Sequence, residues 1–459
     1  MSRANSPFSI RGVIEGFYGV YYTAAERNDL IRFLGRHDFN FYLYGPKNDR
    51  QHRMRWREPY PDYIMDEFEE TVSIAREAGI RFCYSIGSGV TMSYASDEDF
   101  AAVTAKFLAF YERGVRDFSI TLDDIASEFK HAADRSRYTT FAEAHADVTN
   151  RVYQWLLGLD PSCTLNLCPT DYHGSAPFSA YVLELGEKLN PDIDLFYTGP
   201  EICSPEITLE QVSAFAEAVR RKPILWDNYP VNDLDMKSEL HLGPIRGRDA
   251  QLPESVRGIL VNVMNQAEAS KLSLLTWADY MHDPGEYSPE VSWRSALLDL
   301  GGASAEELQL FASHSLKSCL GEEESSRLRE LAEAAMERLR GGTGTDEEAV
   351  RELEEYVTRL DEACYHLKNR MRNTALRNNL LPWIEVLEHY HWMTKRALQV
   401  REAMDSGESF EGPLRMMKES REEILRHPKR MGGESLLEIA EYVLELAVLK
   451  EQELSPTAG

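Results

Sequence analysis

Eight short apolar or aromatic runs, each followed by a longer stretch of helical period, fill the chain from residue 10 to about residue 265. Runs of this kind are typical of buried strands, and apolar residues at three and four spacing are typical of helices. The predicted strands are 9–16, 39–46, 81–86, 117–122, 163–168, 193–198, 223–227 and 258–262. Eight strand-then-helix units in about 260 residues predict a (β/α)8 barrel rather than a doubly wound sheet, which often carries a Gly-rich phosphate turn.

The chain changes character after about residue 285. Beyond Ser304, charges of both signs alternate with Leu, Ala and Val at helical spacing, and glycine pairs such as Gly432-Gly433 separate the segments. This pattern is typical of amphipathic helices in a bundle. We therefore expect an α/β chain of two domains, a TIM barrel at 1–290 and an all-α helical bundle at 291–459. Two of the predicted helices are long enough to project and pair with another copy of the chain.

The C-terminal ends of the predicted strands are rich in polar and aromatic residues. Active sites of such barrels are built from these ends and from the loops that follow them. Taken singly, a Gly-Pro, Asn or Asp at such a place is first of all a turn signal. Taken together, the ends would bring acids, amides, a lysine and aromatic faces to one mouth, which suits binding of a sugar ring. The ends read 15–19 (EGFYG), 44–49 (YGPKND), 85–89 (SIGSG), 123–124 (DD), 168–172 (CPTDY), 197–200 (YTGP), 226–229 (WDNY) and 262–265 (NVMN).

Two adjacent carboxylates, Asp123 and Asp124, follow the fourth predicted strand. Successive side chains of a regular strand point to opposite faces, so the two acids can share a pocket only where the strand ends. Carboxylates that share a pocket do not both ionise easily, which would raise the pKa of one and leave a proton donor beside an anion. Such a pair can carry out cleavage of a glycosidic bond. The structural alternative is that the two residues start a loop or cap a helix.

Composition limits the classes of partner. The chain has 459 residues and a net charge of -26, which disfavours binding to nucleic acid or to an anionic membrane. No apolar run approaches the roughly 18 residues of a membrane span, and the N-terminus lacks the apolar core of a signal peptide, so we expect a cytoplasmic protein. The six cysteines are scattered, and His389 and His391 do not share a helix face, so we expect no disulfide framework, metal site or cofactor.

Longer motifs run in order through the whole predicted barrel. They are 11–19 (RGVIEGFYG), 44–49 (YGPKND), 55–61 (RWREPYP), 122–125 (LDDI), 168–172 (CPTDY), 197–200 (YTGP), 225–233 (LWDNYPVND) and 262–271 (NVMNQAEASK). With these motifs the chain resembles glycoside hydrolase family 84, the family of protein O-GlcNAcases and related β-N-acetylglucosaminidases. Within that family it is similar to homologues of the bacterial type.

The resemblance implies a retaining mechanism in which the 2-acetamido oxygen of the substrate is the nucleophile and an oxazoline forms. By motif, Asp123 would orient the acetamido N–H, and Asp124 would protonate the leaving oxygen and then activate water. Tyr172 matches a tyrosine that hydrogen-bonds the acetamido group, and Trp226 matches an indole that lines its pocket. Positions that bind sugar hydroxyls or hold the catalytic acids are matched by Gly16, Lys47, Asn228, Asp233 and Asn262. Further candidates for the pocket wall are Cys168, Tyr197 and Thr198.

The implied function is removal of terminal β-linked GlcNAc, foremost O-GlcNAc on Ser or Thr of a glycoprotein or glycopeptide. The C-terminal helices resemble a stalk that forms a homodimer and a peptide groove in eukaryotic members. Two other functions stay open, a β-N-acetylglucosaminidase or hyaluronidase acting on glycan chains and a non-catalytic GlcNAc-binding protein. A divalent-metal site made by Asp123 and Asp124 with Asp49 or Asp233 is a further alternative, against which Lys47 in the same mouth argues.

Overall fold

A closed barrel of eight parallel strands forms the first part of the chain. The computed structural model describes residues 6–321, 325–341 and 347–454. The strands are β1 (Ile10–Glu15), β2 (Phe41–Tyr44), β3 (Arg81–Ile86), β4 (Asp117–Thr121), β5 (Thr164–Cys168), β6 (Asp194–Tyr197), β7 (Ile224–Asp227) and β8 (Gly258–Asn262). They pair in chain order, and β8 closes the barrel against β1. The predicted barrel and its eight strands are therefore confirmed, with ends that differ by at most two residues.

Helices follow the strands around the barrel. They are α1 (Ala24–Arg36), α2 (Asp62–Glu77), α3 (Asp97–Tyr111), α4 (Ala132–Arg137), α5 (Phe141–Leu159), α6 (Ala180–Lys188), α7 (Leu209–Val219) and α8 (Ala267–His282). At the start of α1, Thr23 Oγ1 accepts a hydrogen bond from Glu26 N–H at 3.2 Å, and the Glu26 carboxylate accepts one from Thr23 N–H at 2.9 Å. This reciprocal capping gives hydrogen-bond partners to backbone N–H groups that have no acceptor within the helix. It thereby fixes the loop that leads out of β1.

Apolar side chains fill the barrel. Complete burial of such a side chain contributes about 1.5–3 kcal/mol to folding. The buried set comes from seven strands and comprises Ile10, Ile14, Phe41, Leu43, Cys83, Cys168, Phe196, Ile224, Trp226 and Leu260, with Tyr172 packed against it. Because three predicted site residues, Cys168, Tyr172 and Trp226, are packed in or on this core, the core positions the site.

The described residues form two compact units, one of residues up to 234 with 244–292, and one of residues 235–243 with residues from 293 onward. Helices in or leading into the second unit are α9 (Pro289–Gly301), α10 (Ala305–Ala312), α11 (Ser326–Leu339), α12 (Glu347–Arg370), α13 (Thr374–Ser406), α14 (Glu411–Arg426) and α15 (Glu434–Leu454). In the part of the chain that the structure describes, no helix combines the length and apolarity needed to cross a membrane.

Residues 235–243 join the helical unit, which the sequence did not predict. Trp383 Nε1 donates a hydrogen bond to the Ser238 carbonyl at 3.0 Å, and Ser315 Oγ donates one to the Leu240 carbonyl at 2.8 Å. The local sequence of 235–243 does not indicate these long-range hydrogen bonds. Residues 1–5, 322–324, 342–346 and 455–459 of the two predicted domains lie outside the described residues.

Candidate active site

The two acids predicted from the sequence lie just beyond β4. The strand ends at Thr121, and Asp124 adopts a left-handed backbone conformation with a φ of 53°. Residues other than Gly rarely accept this conformation, although Asp tolerates it better than most. Because the strand has ended, the two carboxylates no longer have to point to opposite faces of the sheet. Both acids meet the same cation, because Lys47 bonds Asp123 and its charge also acts on Asp124.

Asp123 is a buried carboxylate in which one oxygen accepts a hydrogen bond. Its Oδ2 accepts a hydrogen bond from Lys47 Nζ, and both side chains are less than one-tenth exposed. Its Oδ1 is also buried, and no described group donates to it. The Lys47 ammonium lies 5.4 Å from the centre of the Trp226 ring. An unpaired buried polar atom costs about 1–3 kcal/mol. A hydrogen bond from the N–H group of a ligand to Asp123 Oδ1 would therefore be favourable.

Asp124, by contrast, is exposed. Its Oδ2 accepts a hydrogen bond from the Tyr18 hydroxyl at 2.6 Å, and its Oδ1 accepts one from the Tyr172 hydroxyl at 3.0 Å. Partial burial works to raise the pKa of Asp124. The two tyrosine bonds and the positive charges of Lys47 and Arg53 outweigh it, so the pKa lies below its ordinary value. The expectation that a shared pocket raises the pKa of one acid is therefore wrong for Asp124, because donors and cations surround it.

A chain of amides lies beside the Trp226 indole. Trp226 Nε1–H donates a hydrogen bond to Asn228 Oδ1 at 3.0 Å, and Asn262 Nδ2 donates one to the same oxygen at 2.9 Å. Asn262 Oδ1 is buried, and no described group donates to it. At Gly16 a Cβ atom would lie 2.7 Å from Trp226 Cζ2, so only glycine lets the backbone after β1 pass against the indole. These four predicted residues therefore form one continuous wall.

Asp233 supports the loop after β1. Its Oδ2 accepts a hydrogen bond from the Tyr18 backbone N–H at 2.7 Å. Asn265 Nδ2 donates a hydrogen bond to the Tyr18 carbonyl at 3.0 Å. Burial raises the pKa of Asp233, although the bond from Tyr18 and the charge of Lys47 oppose the shift. Held at both backbone groups, Tyr18 directs its hydroxyl to Asp124.

The three further wall candidates have different surroundings. Cys168 is buried, and burial raises the pKa of its thiol. The Thr198 backbone N–H donates a hydrogen bond to the Tyr172 carbonyl at 2.9 Å. The Tyr197 ring packs on Phe215 of α7 with the ring centres 4.0 Å apart, so it faces an outer helix. A direct part in the pocket wall stays a prediction for all three residues.

Tyr18 and Arg53 also contact Asp124, although the sequence analysis did not name them as candidates. Arg53 Nη2 donates a hydrogen bond to the Asp124 carbonyl at 3.2 Å, and the guanidinium lies 5.7 Å from the centre of the Tyr18 ring. Tyr18 stands in the motif that contains Gly16, and an aromatic hydroxyl at a strand end was a usable signal. Arg53 gave no such signal, because it lies among turns beyond the motif that contains Lys47.

The pocket thus holds two neighbouring carboxylates in unlike surroundings. Asp123 is buried, bonded to a cation and has one oxygen to which no described group donates, whereas Asp124 is exposed between two hydroxyl donors. Such a pair can orient one group of a ligand and exchange a proton with another. The metal-site alternative gains no support, since no three His, Cys, Asp or Glu side chains within the described ranges converge as ligands.

Known proteins resemble the barrel in sequence. A family model described as beta-N-acetylglucosaminidase matches residues 11–313. Protein O-GlcNAcase from Rattus norvegicus is 36% identical over 274 residues, which are 59% of this chain and 29% of that protein. Protein O-GlcNAcase from Mus musculus is 35% identical over the same shares of the two chains. The chain therefore spans less than a third of the length of the curated relatives that it matches.

Solved structures resemble nearly the whole chain. A mutant of the Thermobaculum terrenum O-GlcNAc hydrolase is 32% identical with a TM-score of 0.90, and the match covers 98% of this chain and 97% of that one. CpGH84B is 28% identical with a TM-score of 0.83, over 95% of this chain and 77% of that one. The family model covers more than half of the chain and agrees with the barrel and the paired acids. The chain therefore belongs to glycoside hydrolase family 84, the family of beta-N-acetylglucosaminidases.

Proposed function

We propose that this protein is a retaining β-N-acetylglucosaminidase that removes terminal β-linked GlcNAc through an oxazoline intermediate. The observation that carries the proposal is the difference between the two acids. Asp123 has a buried oxygen to which no described group donates, and Asp124, the next residue, stands exposed between two hydroxyls. Substrate-assisted hydrolysis needs one carboxylate that stays ionised next to the acetamido group and another that gains and loses a proton.

In this proposal Asp123 receives the acetamido N–H. Lys47 donates a hydrogen bond to Oδ2 and fixes the carboxylate, so Oδ1 is the acceptor left for the substrate. A hydrogen bond to a carboxylate is roughly twice as strong as one between neutral groups. As the acetamido oxygen attacks the anomeric carbon, positive charge grows on the acetamido nitrogen. The Asp123 carboxylate stabilises that charge most in the transition state, which is where stabilisation increases the rate.

Asp124 serves as the general acid and then as the general base. It protonates the leaving oxygen as the glycosidic bond breaks, and the resulting carboxylate takes a proton from the water that opens the oxazoline. Its exposure gives it access to an incoming water. Because the pKa of Asp124 lies below its ordinary value, the acid must gain its proton as the sugar enters.

The remaining predicted residues bind the sugar. Tyr172 would turn its hydroxyl from Asp124 to the acetamido group, and the Trp226 indole would cover that group. The sugar hydroxyls would find amide, ammonium, carboxylate and backbone partners in the mouth, the mixture that a small polar ligand needs for orientation. Those partners are Gly16, Lys47, Asn228, Asp233 and Asn262. Cys168, Tyr197 and Thr198 would support the wall.

The substrate that we propose is O-GlcNAc on Ser or Thr of a glycoprotein or glycopeptide. Support comes from relatives whose names state O-GlcNAc hydrolysis, one of them similar over nearly its full length. The glycan-chain alternative predicts faster hydrolysis of GlcNAc-terminated oligosaccharides than of a glycopeptide. Comparing kcat/KM on one substrate of each kind separates the two functions.

We also propose a homodimer through the C-terminal helices. Its support is the resemblance of the C-terminal helices to the dimer-forming stalk of eukaryotic members, together with long helices such as α12 and α13. Light scattering at micromolar concentration tests it. A single species at the chain mass of 52.4 kDa would refute the dimer.

The decisive experiment is hydrolysis of aryl β-N-acetylglucosaminides. We expect the wild type to be active, with a rate that falls steeply as fluorination of the acetamido group weakens the nucleophile. Asp124→Asn should lose most activity on a substrate with a poor leaving group and least on one with a good leaving group, because only the first needs the acid. The matched control is Asp160→Asn, a carboxylate at the other end of the barrel, before β5. Binding of GlcNAc without any turnover by the wild type would refute the catalytic proposal.

A further inference from the structure

A hydrogen-bonded chain behind the acid pair has no part in the proposed chemistry. It begins at His145 in α5, where Nδ1 lies 2.8 Å from the Tyr181 hydroxyl of α6. The Thr170 backbone N–H, in the loop after β5, donates to that hydroxyl at 3.2 Å. Thr170 Oγ1 in turn donates to the Leu122 carbonyl at 2.8 Å. The chain therefore connects two outer helices to the residue that precedes Asp123.

The direction of these bonds follows from the groups themselves. An amide N–H can only donate, so the Tyr181 oxygen accepts from Thr170, and the proton of the tyrosine is left for His145 Nδ1. His145 is fully buried, and burial lowers its pKa to about 3, so the ring is neutral and Nδ1 can accept. Its other nitrogen, Nε2, is buried and has no partner among the described residues. Tyr181 is thus bonded on both sides and holds the Thr170 amide in one place.

Leu122 is bonded at both of its backbone groups to the segment at the end of β5. Its carbonyl accepts from Thr170 Oγ1, and its N–H donates to the Cys168 carbonyl at 2.9 Å. Asp123 follows directly, and Asp124 then takes up the left-handed conformation. A strained turn of this kind persists only where its surroundings fix it. The bonds to Leu122 supply a fixed point immediately before the turn.

We propose that His145, Tyr181 and Thr170 are positioning residues for the acid pair. They hold the loop after β5 so that the threonine hydroxyl sets the Leu122 carbonyl, and Leu122 sets the direction of the two carboxylates that follow. The three residues act through the backbone rather than on the substrate. The expected effect on kcat rests on the proposed function. The restraint of the Thr170 and Leu122 backbone amides does not depend on that function.

The test replaces one atom at a time. Tyr181→Phe and Thr170→Val each remove a hydroxyl and keep the shape of the side chain, and Thr170→Ser keeps the hydroxyl. Small misplacements of catalytic groups cost about 10- to 100-fold in rate. We expect Tyr181→Phe and Thr170→Val to lower kcat in that range on a poor leaving group, with KM within about twofold of wild type, and Thr170→Ser to retain most of the rate. The matched control is Tyr280→Phe, which loses a hydroxyl bond of 2.8 Å to the Asp249 carbonyl.

Two further measurements separate positioning from general loss of stability. The double variant His145→Leu/Tyr181→Phe should lose no more kcat than the slower single variant, because both substitutions interrupt the same series of hydrogen bonds. Hydrogen exchange of the Thr170 and Leu122 amides should quicken in Tyr181→Phe and stay unchanged in Tyr280→Phe, with similar unfolding temperatures. Unchanged exchange, or equal losses in Tyr181→Phe and Tyr280→Phe, would overturn the proposal. Because exchange needs no turnover, it judges the positioning chain even if the wild type proves inactive, which would defeat only the proposed function.

Discussion

Replacing Asp123 with asparagine tests whether catalysis needs a hydrogen-bond acceptor at both carboxylate oxygens of this residue. Asparagine keeps the shape but offers one acceptor and one donor group in place of two acceptors. If its oxygen faces the Lys47 ammonium, its NH2 group would face the acetamido N–H that the proposed mechanism places at Oδ1. If the side chain is flipped, its NH2 group faces Lys47 instead. In either orientation one donor meets another donor, so a single substitution cannot satisfy both neighbours.

The cost follows from the bonds that are lost. A hydrogen bond to a charged group contributes about 1.5–3 kcal/mol, and a buried polar group left unpaired costs about 1–3 kcal/mol more. The total of about 2.5–6 kcal/mol corresponds to a loss in kcat/KM of about 10²- to 10⁴-fold at 25 °C. Because the change is nearly isosteric, we expect the unfolding temperature to stay close to that of wild type.

The assay is kcat/KM on an aryl β-N-acetylglucosaminide with a good leaving group, for which the acid step matters least. Lys47→Met and the double variant Lys47→Met/Asp123→Asn complete a cycle. Since the two residues share one bond, the loss in the double variant should be smaller than the product of the two single losses. A rate for Asp123→Asn within tenfold of wild type, or costs that multiply in the double variant, would refute the reasoning.

Four other outcomes are expected. Gly16→Ala should raise KM about tenfold or more, because its Cβ would lie 2.7 Å from Trp226 Cζ2 and disturb the wall. Glu15→Gln should lower the unfolding free energy by about 3–5 kcal/mol, since it breaks a buried ion pair of 2.7 Å with Arg27, whereas Glu58→Gln in an exposed pair should leave it unchanged. Tyr172→Phe removes a donor that lowers the pKa of Asp124, so the alkaline limb of kcat/KM should move to higher pH. Treatment with a strong chelator should leave the wild-type rate unchanged, and a loss restored by Mg²⁺ would revive the metal-site alternative.

The fold was predictable because its signals are local. Each strand is a short run of apolar residues, and each helix shows its own spacing, so eight strands could be placed to within two residues. The assignment of residues 235–243 to the helical unit was not predictable, because it depends on hydrogen bonds from Trp383 and Ser315, which are distant in sequence. Local pattern therefore predicted the strands and helices of the described residues but not the place of this segment, which depends on distant partners.

The site divides in the same way. The sequence predicted the acids at 123 and 124 from their place after a strand, and the structure puts both beside Lys47, with a left-handed backbone at Asp124. Their catalytic roles stay a prediction. The direction of the pKa shift was not evident, since it depends on Tyr18, Lys47 and Tyr172, which follow three other strands. Sequence shows which acids lie together, whereas the electrostatic balance between them is set by side chains from other strand ends.

The low pKa of Asp124 has a consequence for the order of events in the proposed reaction. Burial already works to raise that pKa, and the tyrosine bonds and neighbouring cations hold it down. A sugar in the pocket would remove water from the carboxylate and would draw the Tyr172 hydroxyl to its acetamido group. Both changes shift the pKa of Asp124 upward. The acid would thus be charged until a substrate with an acetamido group arrives, so the group that supplies the nucleophile would also prepare the proton donor.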